Sequence, residues 1–139
     1  MTKFFTLITL LFFINTENIQ KENQTLILLE RTACFGNCPV YSIKIKNNGS
    51  GIYVGKNFVK NIGEFTFNIS KSEIDKILKK AEKIDFWNLK NEYYENISDL
   101  PTTYIQIKNK KIKDYIGAPK QLKELQKLID NITIKSISD

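Results

Sequence analysis

The stretch VYSIKIKNNGSGIYVGK, Val40 to Lys56, constrains this chain more than any other part of it. Tyr41, Ile43 and Ile45 alternate with Ser42, Lys44 and Lys46. An extended backbone turns successive side chains to opposite faces, so this segment reads as a strand with one apolar and one polar face. NNGSG is a turn and IYVGK a returning strand, which makes a hairpin with Gly55 at a bulge. A hairpin of this kind needs a partner to cover its apolar face, and the partner has to come from elsewhere in the chain.

Two segments have the pattern to do so. Ser70 followed by Glu73 forms a capping box, and Ile74, Ile77, Leu78, Ala81 and Ile84 behind it fall on one helical stripe. Lys76, Lys79, Lys80 and Lys83 take the solvated side, and Asp75 and Lys79 are spaced as a helical ion pair. Phe86, Trp87 and Leu89 seat the end of this helix on the sheet. The second segment is APKQLKELQKLIDNIT, with Pro119 suited to the first turn and Leu122, Leu125, Leu128, Ile129 and Ile132 as its buried stripe. TLILLER before the hairpin and EFTFNIS after it have strand patterns, and TYIQIKN and KIKDYIG read as a second hairpin. The expectation is an α+β fold of order βββ(β)αββα. It has a mainly antiparallel sheet of about five or six strands and two helices on one face. Its bounds are a single domain over residues 25–133 and a C-terminal tail over 134–139, with no internal repeat or linker.

The start of the chain has a different character. Lys3 precedes FFTLITLLFFI, Phe4 to Ile14, and polar NTENIQKENQ follows. Eleven apolar or threonine residues fall short of the roughly 20 that span a bilayer, and the order of charged, apolar and polar regions is that of a signal peptide over residues 1–20. No small-x-small cleavage pattern precedes Gln20, which keeps an uncleaved anchor and a first hydrophobic strand as alternatives. Export would make the protein periplasmic or secreted, with no transmembrane span in the mature chain.

Cys34 and Cys38, the only cysteines, lie four positions apart in RTACFGNCPVY. In an oxidising compartment such a pair reads as a structural disulfide, with Gly36 free to take the angles of a tight loop and Pro39 stiffening its exit. A redox pair normally has two intervening residues rather than three. A zinc site would need two further ligands, and the chain has no histidine. These two readings stand behind the first, so no metal is expected.

Without histidine the commonest general base is absent. Glu92, Glu95 and Asp99 crowd one segment, where an aspartate before a proline turn suits local hydrogen bonding better than catalysis. No nucleotide or other cofactor motif is present. The formal charge of +6 permits weak attraction to anionic polymers or lipid, yet twenty of the 21 basic residues are lysine. Specific phosphate and base recognition favours arginine's planar fork, so no specific nucleic acid is expected.

The segments CFGNCPVYSIKI, NGSGIYVGKNFV, DLPTT and GAPKQLKELQKLID together resemble a bacterial family, the domain of unknown function DUF6438, from about Leu29 to Ile132. Its most specific element, C-F-G-x-C-P-x-Y, falls on Cys34, Phe35, Gly36, Cys38, Pro39 and Tyr41, and a D-x-P-T element on Asp99, Pro101 and Thr102. The resemblance implies an exported domain and supplies no catalytic residue.

Two functions fit these residues. One is a non-catalytic binding or inhibitory module of the cell envelope, facing an envelope protein or a glycan through NEYYENISDLPTT, where Tyr93 and Tyr94 sit in a long loop. The other is a thiol-based redox or sensing protein using Cys34 and Cys38.

Overall fold

The computed structural model describes residues 21–138. The strands are β1 (Thr25–Arg31), β2 (Val40–Lys46), β3 (Ser50–Asn57), β4 (Gly63–Asn68), β5 (Glu92–Tyr93), β6 (Thr103–Ile107) and β7 (Lys110–Asp114). The helices are α1 (Lys71–Lys83) and α2 (Lys120–Ser138), with a 3₁₀ turn over Phe86–Asn88. The strands form one seven-stranded sheet of order β4-β3-β2-β1-β6-β7-β5, antiparallel except where β5 runs parallel to β7. The fold is α+β, its main elements in the order ββββαββα with the two-residue β5 added ahead of β6, as the alternation and the two helical stripes require. The strand count rises above the expected five or six because Glu92 and Tyr93, read from sequence as loop, pair with Lys113 and Asp114. A two-residue strand has no alternation to detect; it exists because β7 offers it an edge.

Register explains the core. Three rows of side chains cross the buried face. Phe67, Gly51, Ile45, Ile27 and Ile107 stand in one, and Phe65, Tyr53, Ile43, Leu29, Ile105 and Ile112 in the next. Gly51 leaves room for a neighbour in the first row, since a Cβ there would lie 2.3 Å from the Phe67 ring. Both rows are almost wholly buried under Ile74, Ile77 and Ala81 of α1 and Leu122, Leu125, Ile129 and Ile132 of α2. Among the described residues no layer covers the other face of the sheet, which carries Lys44, Ile52, Thr66, Tyr104, Lys111 and Lys113.

The local signals act as their chemistry demands. Ser70 caps α1, accepting from the Glu73 N–H at 3.2 Å while the Glu73 carboxylate accepts from the Ser70 N–H at 2.8 Å. Asp75, expected to pair with Lys79, pairs instead with Lys71 at 2.9 Å, one turn towards the N-terminus. Phe86 is fully buried beyond the helix end, with Trp87 and Leu89 packed against the core. Pro119 stands just outside α2, its carbonyl accepting from Leu122 and Lys123, rather than in the first turn. The helix runs through Ser138, into the segment expected as a tail, and Ile137 still packs on the core. The proposed signal peptide, residues 1–20, lies outside the described residues.

Candidate functional site

The third row of the buried face is polar. Gly55, Tyr41, Arg31, Thr103 and Asp114 stand side by side at the end of the sheet where β1, β3 and β7 finish and β2, β4 and β6 begin. α2 lays a matching polar stripe over it, because Lys123, Gln126 and Asp130 are spaced at three and four residues and so share a face. Arg31 is the hub. Its Nε donates to the Tyr41 hydroxyl at 2.6 Å, Nη1 to Thr103 Oγ1 at 3.0 Å and Nη2 to Asp130 Oδ2 at 2.7 Å. The Tyr41 hydroxyl in turn donates to Asp130 Oδ1 at 2.6 Å. Asp114, only 1% exposed, accepts from Lys123 at 2.9 Å and from the Gln126 amide at 2.8 Å.

This arrangement explains the perturbed ionisation. Burial pushes the Tyr41 phenol well above the ordinary tyrosine value, and the Asp130 charge adds to it, against the opposing pull of Arg31. Tyr53, in the next row, is raised by burial and by Asp130. Burial works against the Arg31 guanidinium, but Asp130 and Tyr41 outweigh it, so its pKa stands above the ordinary value. All three nitrogens of that guanidinium and both Asp130 oxygens are engaged. These bonds fasten α2 to β1, β2 and β6. Among the described residues no three His, Cys, Asp or Glu gather to hold a metal ion.

Above this row sit the loops. Cys34 and Cys38 are bonded, with Cα atoms 5.7 Å apart, inside the connection between Arg31 and Val40. The D-x-P-T segment is brought against this connection. The Thr32 N–H donates to the Thr102 carbonyl at 3.0 Å, the Thr102 N–H to Thr32 Oγ1 at 3.0 Å, and the Phe35 N–H to the Asp99 carbonyl at 3.5 Å. Asp99 holds a left-handed backbone, φ 70°, beside Pro101. Two sequence elements 60-odd residues apart thus become one structural unit. Tyr41, the last residue of the cysteine motif, belongs to the polar row beneath it.

Among the exposed polar side chains of this unit, Asn37, Glu95, Asn96, Ser98 and Asp99, stand four large apolar ones. Phe35, at the tip of the disulfide loop, is 90% exposed, and Tyr94, Ile97 and Leu100 are exposed nearby. Tyr115 ties them together: its ring stacks on Tyr94 with centroids 5.3 Å apart, its hydroxyl donates to the Ile97 carbonyl, and it accepts from the Leu100 N–H. Lys113 lies over the Tyr94 ring. Of the two tyrosines expected at a contact surface, Tyr94 is exposed, while Tyr93 is held in β5 and packs against the core. Gly36 and Pro39 shape the loop and lie at the surface. Of this polar cluster, sequence reading singled out only Tyr41 and missed Arg31, Thr103, Asp114, Lys123, Gln126 and Asp130. The signal for Gln126 was there, a polar residue on an otherwise apolar helical stripe.

What these features define is a small disulfide-closed α+β domain, helices on one side of its sheet, with a hydrogen-bonded loop cluster at one end that exposes Phe35, Tyr94, Ile97 and Leu100. The chain belongs to DUF6438, a domain of unknown function, whose family model matches residues 25–133. No curated protein matches it significantly.

Proposed function

We propose that this protein is an exported, non-catalytic binding or inhibitory module of the cell envelope, and that it grips a protein partner through Phe35, Tyr94, Ile97 and Leu100. One observation carries the reading: the two most specific sequence elements converge on a single loop cluster, tied by a disulfide and backbone hydrogen bonds, that exposes four large apolar side chains among polar ones. Loops held on a rigid scaffold lose little entropy on binding, and aromatic anchors among neutral residues are what interface centres use. The charges favour a protein over an acidic polymer. Thr32 to Pro39 carries no charge, Glu95 and Asp99 flank the cluster on the D-x-P-T side, and Lys113, over the Tyr94 ring, is paired with Glu92, in a chain of net +6. The complementary surface has an apolar centre with basic groups at its rim.

The test is site-specific photocrosslinking in envelopes of the native host, with the reactive group at position 35 or, as control, at Lys111 on the uncovered sheet face. One defined protein should crosslink from position 35 only, and Leu100→Ala or Ile97→Ala should weaken its capture about tenfold or more without changing the circular dichroism. Equal crosslinking from both positions, or capture indifferent to both substitutions, refutes the surface. Export is tested separately, by mass spectrometry of the native protein: a new N-terminus between Thr16 and Thr25 is expected, and an intact Met1 form in the cytoplasm overturns it.

A further inference from the structure

β4 is the last strand of the sheet, and among the described residues no strand pairs with its outer edge. Open edges are normally guarded by lysine, proline, a bulge or extreme shortness. The opposite edge, β5, is only two residues long. β4 carries one exposed charge, Glu64, but neither lysine, proline nor a bulge: GEFTFN is six residues, paired to β3 without interruption from Ser50 opposite Asn68 to Gly55 opposite Gly63. Exposed Ile62 leads into it.

We infer that β4 pairs antiparallel with β4 of a second copy of this chain, about a two-fold axis at Thr66, so that two sheets become one. This inference is independent of the loop cluster and of its partner. Its basis is register. Phe65 and Phe67 face the core side and Glu64, Thr66 and Asn68 the uncovered side, so any continuation of the sheet has to keep those faces, since a one-residue slip would invert them. A symmetric antiparallel pair that keeps them centres on a single residue. Centred on Thr66, it sets Thr66 against its copy, Phe65 against Phe67 and Glu64 against Asn68. Threonine–threonine and aromatic pairs across strands are favourable, and no like charges meet. Centred on Phe65, it would set Gly63 against Phe67 and lose an aromatic pair. The segment is self-complementary in the first register, as an isologous contact demands.

Sedimentation of the purified full chain over a roughly hundredfold range of concentration reads the association. The wild type should pass from monomer to dimer, and amide hydrogen exchange in β4 should slow as it does. Thr66→Lys and Thr66→Glu lie on the exposed face, so both should keep the wild-type circular dichroism. Each alone places like charges on the axis and should weaken dimerisation by about tenfold or more. An equimolar mixture places opposite charges there and should restore the dimer. A wild type that stays monomeric throughout, a dimer that Thr66→Lys leaves intact, or two variants that fail to recombine each overturns the inference.

Discussion

Replacing Asp130 by asparagine keeps the shape of the side chain and removes its charge. In the fold that carboxylate accepts from Arg31 Nη2 at 2.7 Å and from the Tyr41 hydroxyl at 2.6 Å. An amide can accept one of these bonds, but its NH₂ group then points at a donor, so one bond is lost and the guanidinium is left without a counter-charge. A hydrogen bond to a charged group contributes about 1.5–3 kcal/mol. The Arg31 and Asp130 side chains are 24% and 21% exposed, so water screens part of this, and the lower end of the range applies. We expect Asp130→Asn to cost about 2 kcal/mol. With a urea slope of about 1.5 kcal/mol per molar, the unfolding midpoint falls by roughly 1.3 M at unchanged slope. Removing both ends of the pair, as Arg31→Met with Asp130→Leu, should cost less than the sum of the two single changes, because no unpaired charge then remains. A midpoint within about 0.3 M of wild type for Asp130→Asn, or strict additivity in the double variant, would show that the network does not fasten α2 to the sheet.

The disulfide closes so short a loop that replacing both Cys34 and Cys38 by serine should lower stability by about 2 kcal/mol and leave the fold intact; titration of the unreduced protein should find no free thiol, and two reactive thiols would refute the bond and advance the redox reading. Alkaline titration at the phenolate absorbance should show Tyr41 and Tyr53 ionising above the ordinary tyrosine value. Because the fold raises the Tyr41 pKa, its contribution to stability is complete below about pH 10, the unfolded value, and is lost as pH rises beyond it. Asp130→Asn should move the Tyr41 titration downward, and a late phenol that ignores this change, or survives Tyr41→Phe unaltered, would contradict the assignment. Gly55→Ala would set a Cβ 1.9 Å from the Asn61 carbonyl oxygen, and the backbone cannot yield cheaply. A loss of about 1–3 kcal/mol in chemical denaturation is expected, and none at all would mean that the β3–β4 connection does not pass that close.

The sequence by itself determined whatever depends on neighbours along the chain. Alternation over Val40–Lys46 makes a two-faced strand wherever it lies, because successive side chains point oppositely. The reciprocal cap of Ser70 and Glu73 closes within one turn, and the four-residue separation of Cys34 and Cys38 already limits how far apart their Cα atoms can be. The tertiary structure alone decided what meets across the sheet. Arg31 and Asp130 are 99 residues apart, and nothing near either one specifies the other. They meet because β1 lies between β2 and β6, which puts Arg31 at the centre of the polar row, and because α2 crosses that row with Asp130 facing down. The same placement joins the disulfide loop to the Asp99–Thr102 segment, since β1 leads into one and β6 follows from the other. Glu92 and Tyr93 became a strand for a related reason. Where local preference is weak or divided, the free energy of a few contacts with distant neighbours is enough to settle the outcome.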